Sequence, residues 1–401
     1  MKVLLVAERY WPEVGAAPSR LANMAEGLSQ RGGEVDVLTS LPNYPKGEIF
    51  PEYKGCVSKK ETRNGVNVFR YWIYATVSHN PIARILNMFS FAFMIWAFAF
   101  KFNRIKGYDR IIIQTPTLVV AASAMILFKK LYRKTCLLNV SDIWPLTAVD
   151  MGAIREGSSS YKFLAMLERF LYRNADGVLG QSQEILDHIA RFIPNKQLFL
   201  YRNLQYYDMS AQPKCKSNPL KVVFCGMLGV AQDVAGIVKN IPFKDLGVEF
   251  HIFGGGKQFE EINAWIANNP DGNVFAHGFV PKEEISKKLE EMDVSIVPLA
   301  TRIRGAVPSK LYDTLPQGLP ILFCGGGEGA QFISSRGVGL ASEPGDYATL
   351  LKNIKSFSEM SLSEYENISK RCLEVSQKEL NFERQLDETM EYLKDFSNKE
   401  S

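Results

Sequence analysis

Histidine is scarce in this 401-residue chain, with four residues, and the six cysteines are scattered. Cys56, Cys136, Cys215, Cys225, Cys324 and Cys372 form no C-x-x-C pair, and none has a histidine nearby to complete a ligand set. This excludes a zinc site and a disulfide framework, and it fits small core or surface thiols in a reducing compartment. Charge of one sign is lacking too. The 47 Lys and Arg residues against 43 Asp and Glu leave only +4, and the basic residues are spread rather than massed, so no nucleic-acid partner is expected. The apolar run from Lys2 to Ala7 stops at Glu8 and Arg9. It is too brief for a signal-peptide core and reads as a first buried strand. The fingerprint G-x-G-x-x-G is absent from the turn that follows, which disfavours NAD there. No internal repeat or low-complexity tract is evident.

What is present points to two α/β halves. The length suggests two domains, and 46% hydrophobic with 22% charged residues supports substantial cores. Short apolar runs alternate with helical segments at Val3–Ala7, Val35–Thr39, Arg110–Gln114, Thr135–Val140 and Gly177–Gly180. The pattern pauses over 203–219, a polar stretch with two prolines, and restarts at Lys221–Cys225, Glu249–Phe253, Asn273–Ala276, Asp293–Pro298, Pro320–Cys324 and Gly339–Ala341. Strand–helix alternation of this kind builds parallel sheets covered on both faces. The expected organisation is a Rossmann-like domain over 1–202, a linker over 203–219, a second such domain over 220–376, and a helix in 377–401 that crosses back to the first. A ligand cleft between the two domains is the expected binding site.

Residues Ile85–Phe100, ILNMFSFAFMIWAFAF, are apolar nearly all round. A helix over them is about 24 Å long, short of the roughly 30 Å bilayer core. Arg84 before it and Lys101, Arg104 and Lys106 after it suit a helix, about 82–106 in all, that lies in or dips into an anionic leaflet. A wholly buried core helix is the competing reading.

Chemistry-bearing residues cluster after strands. In Val307–Leu322, Ser309 and Lys310 open a helix where unpaired backbone N–H groups could hold a diphosphate, and Asp313 one turn on could accept from a ribose diol. An ordinary Lys–Asp surface pair has the same spacing. Gly15 and Ala16 allow close backbone approach after the first strand, although tight loops need a glycine anyway. Asp142, in Asn139–Pro145, could orient an acceptor hydroxyl, act as a base, or merely cap a helix. Gly226 and Gly229 after one strand and Gly254–Gly256 after the next look like two further edges of one pocket.

Taken jointly, KVLLVAERYWPEVGAAPSRLANMAEGL, PNYPKG at 42–47, SDIWP, GMLGVAQ, FGGG, GFVP at 278–281 and VPSKLYDTLPQGLPI resemble the retaining nucleotide-sugar glycosyltransferases of family 4, over nearly the whole chain. The likeness is to bacterial transferases that add N-acetyl-L-fucosamine or a related deoxysugar in O-antigen or capsule assembly. It implies a GT-B fold of two Rossmann-like domains, a UDP-sugar donor, no metal or other cofactor, and a polyprenyl-diphosphate-linked sugar acceptor. The enzyme would be cytoplasmic and peripheral to the inner leaflet of the membrane. By position, Gly226, Gly229, Gln232 and Gly254 would approach the phosphates, Phe279 and Val280 the base, Ser309 and Lys310 the diphosphate, and Asp313 the ribose. Gly15 and Ala16 would face the diphosphate and sugar from the other domain, and Asp142 would position the acceptor.

The sequence departs from the family pattern in two places. Where many relatives carry two Glu residues eight apart, Gly305 and Asp313 stand here. Where others place Arg and Lys after the glycine turn, Met227, Leu228 and Gln232 carry no charge, so Arg302, Arg304 and Lys310 are expected to neutralise the leaving group. Two other functions are compatible with the fold: a UDP-sugar 2-epimerase, and a non-catalytic nucleotide-sugar-binding scaffold at the membrane.

Overall fold

The computed structural model describes residues 1–78, 80–101 and 103–396, without the side chains at 81, 101, 103, 104, 282 and 283. The Lys101 and Arg104 side chains of the expected basic flank therefore lie outside the described residues. The chain forms two compact units. The first gathers residues 1–205, 304–306 and the chain from Phe382 onward, and the second 206–303 and 307–381.

Unit 1 is built on eight strands: β1 (Lys2–Val6), β2 (Glu34–Ser40), β3 (Ser58–Arg63), β4 (Val66–Tyr71), β5 (Arg110–Gln114), β6 (Thr135–Val140), β7 (Gly177–Gly180) and β8 (Gln197–Leu200). Their order is β3-β4-β2-β1-β5-β6-β7-β8, and all pairs are parallel except β3 with β4. That hairpin turns at Asn64–Gly65, both at positive φ, the dipeptide whose backbone twist suits a two-residue hairpin. Side chains alternate cleanly across the sheet. Leu4, Val6, Ile111, Ile113 and Leu138 face one core, and Val3, Leu5, Ile112 and Leu137 the other.

The helices of this unit are α1 (Ala16–Gln30), α2 (Pro81–Lys101), α3 (Leu118–Met125), α4 (Leu146–Asp150), α5 (Ser159–Asn174) and α6 (Gln183–Phe192). Residues of α2, α3, α5 and α6 fill the first core, and residues of α1 the second. At 21 residues α2 is longer than the apolar run alone suggests, about 32 Å. Phe91, Ile95 and Phe98 are buried, with the Phe98 ring 5.5 Å from that of Phe69 and 6.0 Å from that of Tyr71. Leu86, Phe89, Phe93 and Phe100 recur at helical spacing on the opposite side and are exposed, Phe93 by 69% and Phe100 by 73%. Core and open surface are thus two faces of the second half of this helix, while residues 82–90 include no buried position; by length and composition Ile82–Phe100 is apolar enough to cross a membrane.

Unit 2 has six strands, all parallel: β9 (Leu220–Cys225), β10 (Val248–Phe253), β11 (Val274–Gly278), β12 (Val294–Pro298), β13 (Ile321–Cys324) and β14 (Gly339–Ser342), in the order β11-β10-β9-β12-β13-β14. Between and after them run α7 (Val234–Asn240), α8 (Phe259–Asn268), α9 (Lys282–Glu290), α10 (Lys310–Thr314), α11 (Gly327–Arg336), α12 (Tyr347–Glu359) and α13 (Leu362–Glu379). The polar stretch before β9 is anchored rather than slack. Lys214 donates to the carbonyls of Leu289, Glu290 and Met292 at 2.7–3.1 Å, and Lys216 to those of Ser358 and Met360 at 2.7 and 2.5 Å. Each ammonium satisfies carbonyls at a helix C-terminus, where the helix dipole favours a cation. Burial draws the Lys214 pKa down to about 8.

The last helix, α14 (Phe382–Asp395), belongs to unit 1. Arg31 at the end of α1 pairs with Glu383 at 2.7 Å and Asp387 at 2.6 Å, and Arg110 Nε donates to the Leu393 carbonyl at 2.8 Å. Gln385 exchanges two hydrogen bonds with the Arg202 backbone.

The two faces of α2 predict opposite mutational outcomes. Phe98→Ala empties a closed core position and costs about 3–5 kcal/mol in denaturant unfolding, whereas Phe93→Ala changes stability by no more than about 0.5 kcal/mol.

Candidate functional site

In an open parallel sheet, ligands meet the carboxyl ends of the strands where the strand order reverses direction. In unit 2 that point is the end of β9, which has β10 on one side and β12 on the other. The loops after β9, β10 and β11 are laced backbone to backbone. Gly226 N–H donates to Phe253 (2.8 Å), Leu228 N–H to Gly255 (3.0 Å) and Gly254 N–H to Gly278 (2.7 Å). Gly226 and Gly254 have φ of 149° and 148°, and a Cβ on Gly254 would lie 1.8 Å from the Gly226 carbonyl oxygen. Only glycine permits that approach.

Lys310 reaches this lattice. Its ammonium lies 4.3 Å from the centroid of the Phe224 ring and crosses the space above Gly226 that a Cβ would fill. Burial lowers the Lys310 pKa, with Cys225 and Asp313 opposing the shift. Asp313 accepts a hydrogen bond from the Tyr207 hydroxyl. The segment expected to be a Pro-led helix is only five residues of α-helix followed by a 3-10 turn over Leu315–Gln317, and Ser309 makes no side-chain cap. The organising cation is therefore the Lys310 side chain rather than a long helix's N-terminal amides.

Two further expectations change in detail. The Gly226–Gln232 segment opens no helix, because α7 begins only at Val234, beyond Asp233 at φ 50°. The Gln232 side chain instead accepts from Gly229 N–H at 3.2 Å and ties the loop to itself. Phe279 is 82% exposed beyond β11, whereas Val280 packs beside Leu289 and Met292.

In unit 1 the corresponding edge carries buried charge. Gly15 directly precedes α1 and its carbonyl accepts from Ser19 N–H, with Ala16 the first, exposed helical residue. One turn further on, Arg20 is buried on the otherwise apolar face of α1 and donates to Ser141 at the end of β6 and Gln181 at the end of β7. Burial lowers the Arg20 pKa against the opposing pull of Asp142, and burial raises the Asp142 pKa against the pull of Arg20. Asp142 caps no helix, since α4 starts at Leu146 with Pro145 in the cap position.

Two glutamates follow β1, Glu13 buried and Glu8 half-buried with one enclosed oxygen. Glu13 accepts from the N–H groups of Asn43 and Tyr44, both at 2.8 Å, and so holds the PNYPKG loop. Burial raises the Glu8 pKa, and its Oε2 has no hydrogen-bond partner among the described residues.

Arg304 lies in unit 1, where Asp150 accepts from its backbone N–H, its Nε and, at 2.6 Å, its Nη2. The carboxylate neutralises the charge expected for a leaving group. Next to it, Gly305 has φ 76°, and a Cβ there would lie 2.8–2.9 Å from Ile185 and Ile143. Glycine is thus required at the position where relatives carry the first acid. A carboxylate is present all the same, because Glu184 accepts from Gly305 N–H at 2.9 Å.

Sequence reasoning did not single out Arg20, Tyr207 or Glu184. For Arg20 a signal existed, a lone cation on the stripe of Pro18, Leu21, Met24, Ala25 and Leu28. Nothing in the pattern marks the other two.

Comparison with known proteins agrees with this design. A "Glycosyl transferase 4-like domain" matches residues 15–202, and "Glycosyl transferases group 1" matches residues 219–359. WcaI of Escherichia coli K12, provisionally named a colanic acid biosynthesis glycosyl transferase, is 24% identical over 272 residues, 64% of this chain and 66% of that protein. WbjE of Pseudomonas aeruginosa, provisionally named a glycosyltransferase, is 24% identical over 257 residues, 60% of this chain and 64% of that protein. The chain thus spans just under two thirds of the length of these curated relatives.

Among solved structures, sucrose-phosphate synthase from Thermosynechococcus elongatus has a TM-score of 0.74 at 15% identity, over 99% of each chain. WaaG, a glycosyltransferase involved in lipopolysaccharide biosynthesis, scores 0.64 at 12% identity, and Anabaena HepE in complex with UDP and glucose 0.66 at 14%, each over 98% of this chain and 99% of the other. At such identities the likeness speaks to the fold alone. The chain therefore has a GT-B fold and carries two glycosyltransferase domains, the 4-like domain in its first unit and the group 1 domain in its second.

Proposed function

We propose that the protein transfers a sugar from a UDP-linked donor to a polyprenyl-diphosphate-linked sugar in the synthesis of a bacterial surface polysaccharide. The observation that carries this reading is the Lys310 ammonium, held over the glycine lattice at the β9 switch point. Support for the donor class comes from HepE, whose structure contains UDP and glucose. Support for the pathway class comes from the names of WcaI and WaaG. The donor sugar in this reading is an N-acetylated deoxysugar of the N-acetyl-L-fucosamine type, transferred with retention of anomeric configuration, as the family resemblance implies.

In this reading the bond between the sugar's anomeric carbon and the diphosphate oxygen breaks, and the acceptor hydroxyl oxygen bonds to that carbon. Negative charge grows on the departing diphosphate, which Lys310 and the backbone N–H groups of the glycine loops stabilise without a resident metal. Asp313, held by Tyr207, receives the ribose hydroxyls. Asp142 orients the acceptor hydroxyl and takes its proton, a task suited to a carboxyl whose pKa burial has moved toward neutrality. Arg304 has no part, being paired with Asp150. The protein is cytoplasmic and rests on the inner leaflet through the exposed stripe of α2, which brings it to a lipid-linked acceptor.

Lys310→Met keeps the packing over Phe224 and removes the charge. It is expected to lower kcat/KM by about a hundredfold or more, with an unchanged melting temperature, in an assay of UDP release that depends on added lipid-linked acceptor. Equal rates for the variant and the parent would remove Lys310 from the reaction, and product formed without acceptor would indicate an epimerase.

The Asp142 reading makes a separate prediction about pH. Its folded pKa stands above the ordinary value of about 3.9, so acidification protonates the base and kcat/KM falls as pH drops through that raised value. Asp142→Asn abolishes this limb along with most of the activity, and an acid limb that persists in the variant assigns the base elsewhere.

A further inference from the structure

The helices beside α2 carry a pattern that the transfer reaction does not use. We propose that the outer face of α5, with the exposed end of the α3 segment, binds the phosphates of anionic phospholipid headgroups, while α2 enters the acyl boundary next to it. This rests on the reading of α2 as a lipid-facing helix and adds to it a headgroup charge preference.

The placement follows from the fold of unit 1. α2, α3 and α5 cover the same face of the sheet, α2 packed against α3 and α3 against α5. The first two are stitched by Trp96 Nε1, which donates to Ser123 Oγ at 2.9 Å, and by Ser123 Oγ, which donates to the Ala92 carbonyl at 2.9 Å. Their outward sides therefore form one surface. Its apolar part continues from the α2 stripe to Ile126 and Leu131 after α3 and to Phe163 and Met166 on α5, all exposed.

On α5 the exposed charge of this surface has one sign, whereas Lys129 beside the α3 end is paired with Asp176 at 2.7 Å. Lys162, Arg169 and Arg173 are seven and four residues apart, which puts them on one stripe of α5, and all three are exposed. They line an open groove of about 540 Å³ along the helix, with Tyr161, Phe170 and Asn174 among its other walls and no carboxylate. The one acid of α5, Glu168, is turned inward, hydrogen-bonded to Tyr172 at 3.1 Å and His188 at 2.9 Å. Lys130 and Arg133 are exposed after α3, and Lys106 after α2. α2 itself contains no acidic residue.

Long aromatic and aliphatic side chains beside cations, without interspersed carboxylates, suit the boundary of an anionic bilayer, where each Lys or Arg near the surface strengthens binding. A soluble acidic partner would gain nothing from the exposed phenyl groups of α2.

The test is co-sedimentation of the full chain with phosphatidylcholine vesicles and with mixed phosphatidylcholine–phosphatidylglycerol vesicles, at low and high salt. The parent is expected to favour the anionic vesicles, by a margin that shrinks as salt rises. A Lys162→Gln, Arg169→Gln, Arg173→Gln variant should lose about a hundredfold in partitioning to anionic vesicles, keep its weak binding to neutral ones, and melt like the parent. If the variant keeps the parent's partitioning and salt response, the headgroup assignment is overturned while the α2 reading stands. If Phe89→Ser, Phe93→Ser leaves binding to both vesicles unchanged, the α2 reading itself falls. Tighter binding of the parent to a DNA duplex than to anionic vesicles would also overturn the proposal.

Discussion

The close approach of the Gly226 and Gly254 backbones is the constraint on which the second unit's site depends. Two neighbouring parallel strands end 4.7–4.9 Å apart, and side chains on the loops that leave them would normally force those loops to diverge. With hydrogen atoms in place of Cβ at both positions, the loops stay hydrogen-bonded beyond the sheet. The gap above Gly226 is then wide enough for a lysine to lie across it from a later segment of the chain. A side chain at Gly226 would evict Lys310, and one at Gly254 would push the whole loop away. The glycines and the lysine are therefore one device, although 84 positions separate Gly226 from Lys310.

Unit 1 solves a different problem, holding charge where water is thin. An arginine buried in a helix face needs partners for its donors, and the two terminal nitrogens of Arg20 meet Gln181 and Ser141 at the ends of two strands, while its buried Nε has no partner among the described residues. Its cation also limits how far burial can raise the Asp142 pKa. The charge that opposes this shift thus comes from a helix more than a hundred residues earlier. The enclosed oxygen of Glu8 and the two amides on Glu13 show that the same edge gathers further carboxylates.

The sheets were legible because their strands are buried on both faces and read as continuous apolar runs: RIIIQ and TCLLNV coincide with β5 and β6 residue for residue. β3, written SKKETR, escaped because it is an edge strand without an apolar residue, its half-buried side being Lys59, Glu61 and Arg63, and β8 because it is four half-buried residues long. The candidate site was legible where it rests on glycine and on residues just past strand ends. It was not legible where it rests on long-range pairing. The sequence offers no sign that Arg304 would meet Asp150, 154 positions away, or that Tyr207 would meet Asp313. The linker lysines failed to register for the same reason, since composition marks a polar stretch but not the helix ends it serves.

Gly305 shows how a departure from a family pattern can be structural. Read alone, glycine in place of an acid suggests a lost function. In the folded chain the residue sits at positive φ with Ile143 and Ile185 against it, so an acid would strain the backbone and displace two core side chains. Meanwhile Ser182 Oγ donates to the Gly305 carbonyl at 2.7 Å, and the Glu184 carboxylate receives its N–H. Both come from the start of α6, so that turn and the glycine form a closed unit. The Glu184 carboxylate beside the glycine is engaged by that backbone N–H, so the exchange of acid for glycine is accounted for by the conformation and packing of the turn.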